Sequence, residues 1–215
     1  MQWYLKTLSR ILDFRFKKAL DDENEIALLS AYSSNRSSHR ISNKFRINSE
    51  TRFLFLSRRY CFTFILDLSP SIAKVDIQHE TVLTDEIPYA LKHSLRALAQ
   101  SFKVSGSDRI FQPELYISIL AYQPFYANDS NNFIVHGFKL TLENLDFLMN
   151  LVKKKLLKFL EELRNNIFLM EESRTSPVSA DISLLNIIRF GLLTLNLLPE
   201  NSYEGIVIVT DGNLK

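Results

Sequence analysis

Two short apolar runs, each followed at once by hydroxyl and carboxylate side chains, constrain this fold more than any other feature. Residues 62–66 are almost uninterrupted apolar, and the motif Asp-Leu-Ser-Pro-Ser follows at residues 67–71. Residues 205–209 form a second apolar run, and Thr-Asp-Gly follows at residues 210–212. Strands that are buried on both faces of a parallel sheet have such continuous apolar patterns. The sequence therefore predicts an α/β fold in which two buried strands each deliver an aspartate at the carboxyl end.

The segments between these two strands include three with the pattern of helices. Apolar residues recur at three- and four-residue steps over residues 85–102 and 141–170, and they cover most sides of residues 181–198. Thr84 is the expected N-cap of the first helix, and Pro88 falls in its first turn. We therefore expect three helices between the first and the last strand of the sheet.

A hairpin is expected where the alternation of apolar and polar residues is cleanest. Residues 114–122 alternate in this way, and an Asn-rich turn separates them from the β-rich residues 133–138. The predicted fold class is thus a three-layer α/β fold with a mostly parallel, Rossmann-like sheet and an antiparallel edge hairpin. Because no helix follows the last strand, we expect this domain, residues 51–215, to be truncated at its C-terminus.

The N-terminal part of the chain has a different character. The spacing of apolar residues predicts a helical segment over residues 1–31, and the Ser, Asn and Arg content of residues 32–50 predicts a polar basic linker. Residues 36–59 hold seven Lys or Arg and one Glu, which indicates either a solvated linker or a patch for an acidic partner or membrane surface. Residues 51–56 and 60–66 are both β-rich and are predicted to be two strands of a hairpin.

Composition excludes several classes of protein. A net charge of +2 gives no argument for nucleic-acid binding. The single cysteine excludes an intrachain disulfide framework and fits a reducing compartment. No apolar, uncharged stretch reaches the roughly 18 residues of a membrane span, and the N-terminus lacks the layout of a signal peptide. The four histidines show no metal-ligand spacing, and no Gly-rich phosphate loop is present.

The polar side chains that follow the two buried strands form a candidate cation site. Right-handed crossovers place the last strand beside the first, so Asp67 and Asp211 are expected in neighbouring loops. Ser69 and Ser71 add hydroxyl oxygens, and oxygen ligands of this kind suit Mg²⁺ or Mn²⁺. A cation held by few protein oxygens keeps a water position that an acidic side chain of a partner can fill. The alternative is that both aspartates only cap helices and form turns after strands.

The order of these motifs resembles the von Willebrand factor A family and its metal-ion-dependent adhesion site. Such a site uses an Asp-x-Ser-x-Ser loop, a Thr from a second loop and an Asp from a third. Asp67, Ser69 and Ser71 match the first loop, and Asp211 matches the third. The second-loop Thr is absent, and Ser179 is the nearest hydroxyl. The resemblance implies a divalent cation that these side chains hold for recognition.

Four segments carry a closer resemblance. Residues 50–56, 66–71, 111–116 and 205–212 are similar to the N-terminal region of the seizure threshold 2 family, the large subunits of the KICSTOR complex. The similarity spans about residues 50–213. Members of this family are far longer than 215 residues, so the resemblance implies that the chain is an N-terminal fragment.

The same resemblance implies a function without catalysis. A KICSTOR scaffold recruits a GATOR complex to the lysosome and restrains target-of-rapamycin signalling when amino acids or glucose are scarce. The implied partners are the other KICSTOR subunits and a GATOR complex. The implied location is the cytoplasmic side of the lysosomal membrane, with the peroxisome as an alternative.

Two other functions remain open from the sequence. A metal-dependent phosphohydrolase would use Asp67 as its nucleophile, but such enzymes need a second carboxylate two residues later, where this chain has Ser69. A cation-dependent adhesion domain outside the cell would use the same side chains as the scaffold. The first alternative predicts turnover of a phosphate ester, and the second predicts a secretory signal.

Overall fold

The structure is a computed structural model, and it describes residues 8–13, 44–52, 56–68, 75–76, 81–104, 110–122, 133–173, 180–199 and 202–210. The chain divides into two compact units. The first unit comprises Met1–Leu56 and Ser101–Gln112, and the second comprises Ser57–Gln100 and Pro113–Lys215.

The described elements are short strands in the first unit, and a four-stranded sheet, a pair of two-residue strands and three helices in the second. In chain order they are β1 (Ile11–Asp13), β2 (Lys44–Arg46), β3 (Arg59–Asp67), β4 (Val75–Asp76), β5 (Thr81–Val82), α1 (Leu83–Ala99), β6 (Phe102–Lys103), β7 (Ile110–Phe111), β8 (Glu114–Tyr122), β9 (Phe133–Leu140), α2 (Leu145–Ser173), α3 (Ala180–Asn196) and β10 (Tyr203–Val209).

The main sheet of the second unit has the strand order β10-β3-β8-β9. Strand β3 pairs in parallel with both β10 and β8, and β9 closes one edge as the antiparallel partner of β8. The prediction of an α/β fold with a mostly parallel sheet and an antiparallel edge hairpin is confirmed. The prediction that the last strand lies beside the first strand of the sheet is also confirmed. The prediction that both of these strands are buried is wrong for β10, because β10 is the other edge strand and its Val207 and Ile208 are exposed.

Helices cover both faces of this sheet. Successive side chains of a strand point to opposite faces, so each central strand contributes to a buried cluster on either side. Leu66 and Ile117 belong to a large buried cluster with residues of α1 and α2. Ile65 and Leu120, from the same two strands, belong to a second cluster with Ile187 of α3. The continuous apolar run of β3 is therefore explained by burial on both faces.

Helix α3 lies very close to the sheet at a glycine. A Cβ atom on Gly191 would come within 3.3 Å of Ile206 Cδ1 and 3.4 Å of Ile65 Cδ1. One turn further along α3, Thr194 Oγ1 donates a hydrogen bond to the Gly191 carbonyl at 2.6 Å and lies 3.0 Å from Thr63 Oγ1. Because Thr194 gives its proton to the carbonyl, Thr63 must donate to Thr194, so the helix and β3 share one buried polar contact.

Three predictions for the N-terminal part are wrong where the structure describes it. Residues predicted to be helical form β1, and residues predicted to be linker form β2, which pairs with β1 in antiparallel fashion. The backbone bonds Ser9 N to Ile47 O and Ile47 N to Arg10 O continue this ladder. The pairing of β1 with β2, which are far apart in the chain, has overridden the helical spacing of the apolar residues. Of the strand predicted over residues 51–56, the residues 51, 52 and 56 are not in a strand, and 53–55 lie outside the described residues.

The helices of the second unit differ from their predictions mainly at the ends. Helix α1 begins before Thr84, so this residue lies in the helix rather than at its cap, and the helix ends at Ala99. Phe102 was predicted to end the same helix, but it belongs to β6 and contacts Phe111 at a ring distance of 5.3 Å. In the described part of the chain, no helix has the length and apolar character needed to cross a membrane.

We predict that Thr194→Val destabilises the protein by about 1–3 kcal/mol, because it leaves the buried hydroxyl of Thr63 without an acceptor. The side chains of Thr63 and Thr194 are 0% and 1% exposed, so water cannot replace the lost partner. Urea unfolding of the variant and of the wild type measures this difference.

The matched control is Thr63→Val, which leaves Thr194 bonded to the Gly191 carbonyl. This variant should lose less stability than Thr194→Val. The double valine variant should recover part of the stability that Thr194→Val loses, since both partners are then apolar. An equal cost for both single variants would contradict the assigned direction of the hydrogen bond.

Candidate functional site

The parallel pairing of three strands brings their carboxyl ends to one edge of the sheet. Val209 stands opposite Leu66, and Asp67 stands opposite Tyr122. Thr210 follows Val209 and therefore comes level with Asp67. Because side chains alternate between faces, Thr210, Asp67 and Tyr122 form one row on the face that α3 covers.

Asp67 is the centre of this row. Its side chain is 2% exposed, and it is the only carboxylate among the buried side chains of the described residues. Thr210 Oγ1 donates a hydrogen bond to Asp67 Oδ2 over 2.7 Å. A buried carboxylate is costly unless donors or a cation compensate it, so a protein retains one where it has structural or chemical use.

The backbone of the residue that follows Asp67 is held in place as well. Leu68 N donates to the Tyr122 carbonyl at 2.7 Å, which extends the β3–β8 ladder one residue past Asp67. Leu68 is itself buried in the cluster beneath α1 and α2. Asp67 is therefore fixed in two ways. The backbone of β3 pairs with β8 up to Leu68, and the side chain of Asp67 accepts a hydrogen bond from Thr210.

The structure describes only part of the predicted site. Asp67 lies where the sequence predicted, at the carboxyl end of a strand that neighbours the last strand. Ser69, Ser71, Ser179 and Asp211 lie outside the described residues. The hydroxyl of Thr210 was not predicted to take part, because its place beside Asp67 depends on the register of β10 on β3.

The oxygen atoms at this edge fit a hard divalent cation. A carboxylate and a hydroxyl lie together at Asp67 and Thr210, and such donors suit Mg²⁺ or Mn²⁺ better than soft metals. Within the described ranges, no group of three or more His, Cys, Asp or Glu side chains comes together. A cation bound here would thus depend on Asp67 with hydroxyl and water oxygens rather than on a carboxylate cluster.

A serine and a histidine also come together on the hairpin. Ser118 Oγ lies 3.3 Å from His136 Nδ1 and accepts a hydrogen bond from Gly137 N at 3.0 Å. Gly137 has a φ of 60°, where the β8–β9 ladder is irregular. Ser118 is 0% exposed, so its hydroxyl supports the irregular hairpin and is out of reach of a substrate.

The single cysteine lies near the start of β3, at the opposite end of the strand from Asp67. Cys61 is fully buried, and desolvation by burial raises the pKa of its thiol. A thiolate nucleophile requires the opposite shift. The prediction that Cys61 acts as a small core residue agrees with this burial.

The amino end of the same sheet carries a separate group of charges. Arg58 Nε and Arg59 Nε each lie 3.3 Å from a carboxylate oxygen of Glu114. Desolvation raises the pKa of Glu114, but the hydrogen bond from Arg59 and the charges of Arg58, Lys139 and Arg59 outweigh it and hold the pKa below its usual range. These arginines offset the negative charge of Glu114, the first residue of β8, at the end of the sheet opposite Asp67.

No model of a protein family matches the chain, and no solved structure matches it. The class that the fold defines is an α/β protein with a mostly parallel sheet and an antiparallel hairpin at one edge. Any finer assignment depends on the geometry at the carboxyl edge of that sheet and on the motifs that flank it.

We predict that the stabilising contribution of Glu114 is present above the ordinary Glu pKa of about 4.3 and is lost as the pH falls through its lower folded-state value. The sign follows because the folded state binds the proton less tightly than the unfolded chain. Urea unfolding at pH 7 and pH 3 should therefore show a smaller loss of stability for Glu114→Gln than for the wild type. Glu86→Gln, on an exposed part of α1, serves as the control and should lose as much as the wild type.

Proposed function

We propose that this chain is a non-catalytic interaction module with a von Willebrand factor A-like domain, and that the edge around Asp67 is its recognition site. The observation that carries the proposal is the buried Asp67 at the end of the central strand β3, contacted by Thr210 from the end of β10. Recognition fits this edge because a cation at Asp67 would present a ligand position to an acidic group of a partner.

The sheet order supports the von Willebrand factor A assignment. The Asp-x-Ser-x-Ser motif begins at the end of β3, and Thr-Asp-Gly begins directly after β10, its parallel neighbour. The antiparallel hairpin of β8 and β9 lies on the other side of β3. This arrangement brings together the two strand ends that the first and third loops of such a site would follow, as a shared cation would require.

The sequence resemblance extends the proposal to a particular assembly. The segments similar to the seizure threshold 2 family include the ends of β3 and β10 and the start of β8, which are the strands that build the site. We therefore propose that the chain is part of a KICSTOR-type scaffold whose partners are other KICSTOR subunits and a GATOR complex. Its role would be to restrain target-of-rapamycin signalling at the lysosomal membrane under nutrient deprivation.

We predict that Asp67→Asn weakens capture of these partners at least tenfold in a pull-down with the full chain, because it removes the charge at the centre of the site. Asp146→Asn is the matched control, since Asp146 is exposed on α2 and pairs with Lys92 at 2.7 Å, in the same unit. The control should capture partners as the wild type does. Circular dichroism of both variants confirms that they are folded.

Equal capture by Asp67→Asn and wild type would contradict a recognition role for this edge. A phosphatase assay with Mg²⁺ tests the alternative of a metal-dependent phosphohydrolase. Turnover of a phosphomonoester by the wild type that disappears in Asp67→Asn would show an enzyme instead of a scaffold.

A further inference from the structure

We propose that the outer face of α2 docks on an anionic membrane surface. The residues of this lysine face are Phe147, Lys153, Lys154, Lys155 and Leu157. The inference goes beyond the recognition site proposed above, because it involves neither the carboxyl edge of the sheet nor a divalent cation. The occupant of the lysine face is an anionic lipid bilayer, which the face contacts without spanning it.

The packing of α2 determines which of its side chains reach the surface. Leu148, Val152 and Leu156 recur at four-residue steps, and all three belong to the large buried cluster. The side chains of the lysine face lie on the remaining sides of the helix. Its two apolar members, Phe147 and Leu157, are 65% and 69% exposed, and its three lysines are exposed as well. Burial of one side of α2 therefore presents the lysine face to solvent.

Positive charge is concentrated on this part of α2. The helix has lysines at residues 153, 154, 155 and 158 and no acidic residue between Asp146 and Glu161. Asp146 is itself paired with Lys92 of α1 at 2.7 Å. In the part of the chain that the structure describes, none of the lysines at 153–155 forms a salt bridge. The lysine face therefore favours an anionic partner by charge complementarity.

The apolar side chains lie on either side of these lysines along the helix. Ten residues separate Phe147 from Leu157, which is about 15 Å at 1.5 Å per residue. Leu157 follows Lys153 by four positions and Lys154 by three, so these side chains are neighbours on the helix surface. Phe147 stacks on Phe138 with ring centroids 6.3 Å apart, which fixes its orientation. The face thus combines two exposed apolar groups with cations between them.

A bilayer surface suits this combination because it accepts both kinds of side chain at once. Phenylalanine and leucine enter the boundary between headgroups and acyl chains, while lysines extend their charged ends to the lipid phosphates. An acidic peptide would require a groove, since helical and extended peptides bind in concave or edge sites. The outer surface of a helix is convex, so an extended anionic surface fits it better than a peptide does.

The test is sedimentation of the full chain with phosphatidylcholine vesicles that contain or lack phosphatidylserine. We expect the wild type to bind only the vesicles with phosphatidylserine, and to bind them less tightly as salt is added. Each lysine near an anionic bilayer contributes about fivefold in affinity, so the combined variant Lys153→Gln, Lys154→Gln and Lys155→Gln should bind about 100-fold more weakly. Arginine at the same three positions keeps the charge and should stay within about threefold of wild type.

The matched control for charge is the combined variant Arg10→Gln, Arg46→Gln and Arg189→Gln. These arginines are exposed on other parts of the chain, and their loss lowers the net charge by the same amount. We expect this control to stay within about threefold of wild type, because charges outside the contact are screened by salt. An equal loss of binding in the lysine and arginine variants would overturn the proposal, since attraction would then follow net charge rather than the lysine face.

A second pair of variants tests the apolar part of the face. Phe147→Ala combined with Leu157→Ala should weaken vesicle binding by about tenfold or more, because it removes the side chains that enter the bilayer. Leu185→Ala combined with Leu197→Ala is the control, since these leucines are 61% and 76% exposed on α3, at the other face of the sheet. This control should bind as the wild type does, and an equal loss in both pairs would overturn the proposal.

Thermal unfolding without vesicles shows whether each variant is folded. Because Phe147 packs on Phe138, Leu157→Ala alone decides the apolar test where the double variant is unfolded. Absence of wild-type binding to the phosphatidylserine vesicles would overturn the proposal. Binding to soluble polyglutamate without binding to these vesicles would also overturn it and would identify an acidic protein segment as the occupant. The pull-down with Asp67→Asn tests partner recognition separately, so either proposal can fail alone.

Discussion

The parallel pairing of β3 with both β8 and β10 is the constraint on which the rest of the second unit depends. Because the three strands share one direction, their carboxyl ends meet at a single edge, where open α/β sheets bind ligands. Both faces of β3 are covered by helices, so its side chains from Cys61 to Leu66 are apolar except for Thr63, which bonds to Thr194. The first charged side chain after this run is Asp67, and it is placed by the sheet rather than by a loop.

The two ends of the sheet place carboxylates in different surroundings. At the amino end, two guanidinium groups lie against Glu114 and lower its pKa. At the carboxyl end, Asp67 is buried and accepts a hydrogen bond from a neutral hydroxyl. A buried carboxylate that is oriented by a hydroxyl donor is suited to a cation or to a partner's donor groups, which is the basis of the proposed recognition role.

The sheet and its helices could be predicted because each has a strong local pattern. The apolar runs of β3 and β10 and the alternation of β8 require no knowledge of distant residues, and Asp67 follows from the end of such a run. Strands β1 and β2 could not be predicted, since each has three residues and forms only by pairing with the other across about thirty residues. The role of Thr210 was missed for a related reason: its contact with Asp67 depends on the register of two strands far apart in sequence, which a local pattern does not specify.

In the proposed recognition site, a divalent cation binds at the carboxyl ends of β3, β8 and β10. Nuclear magnetic resonance of the ¹⁵N-labelled full chain during titration with Mn²⁺ tests it directly, because the paramagnetic ion broadens nearby amide signals. We expect the amides of Leu68, Tyr122 and Thr210 to broaden first, while those of Arg59 and Glu114 at the opposite end stay sharp. Broadening that begins at Arg59 and Glu114, or none at the three strand ends, would contradict it.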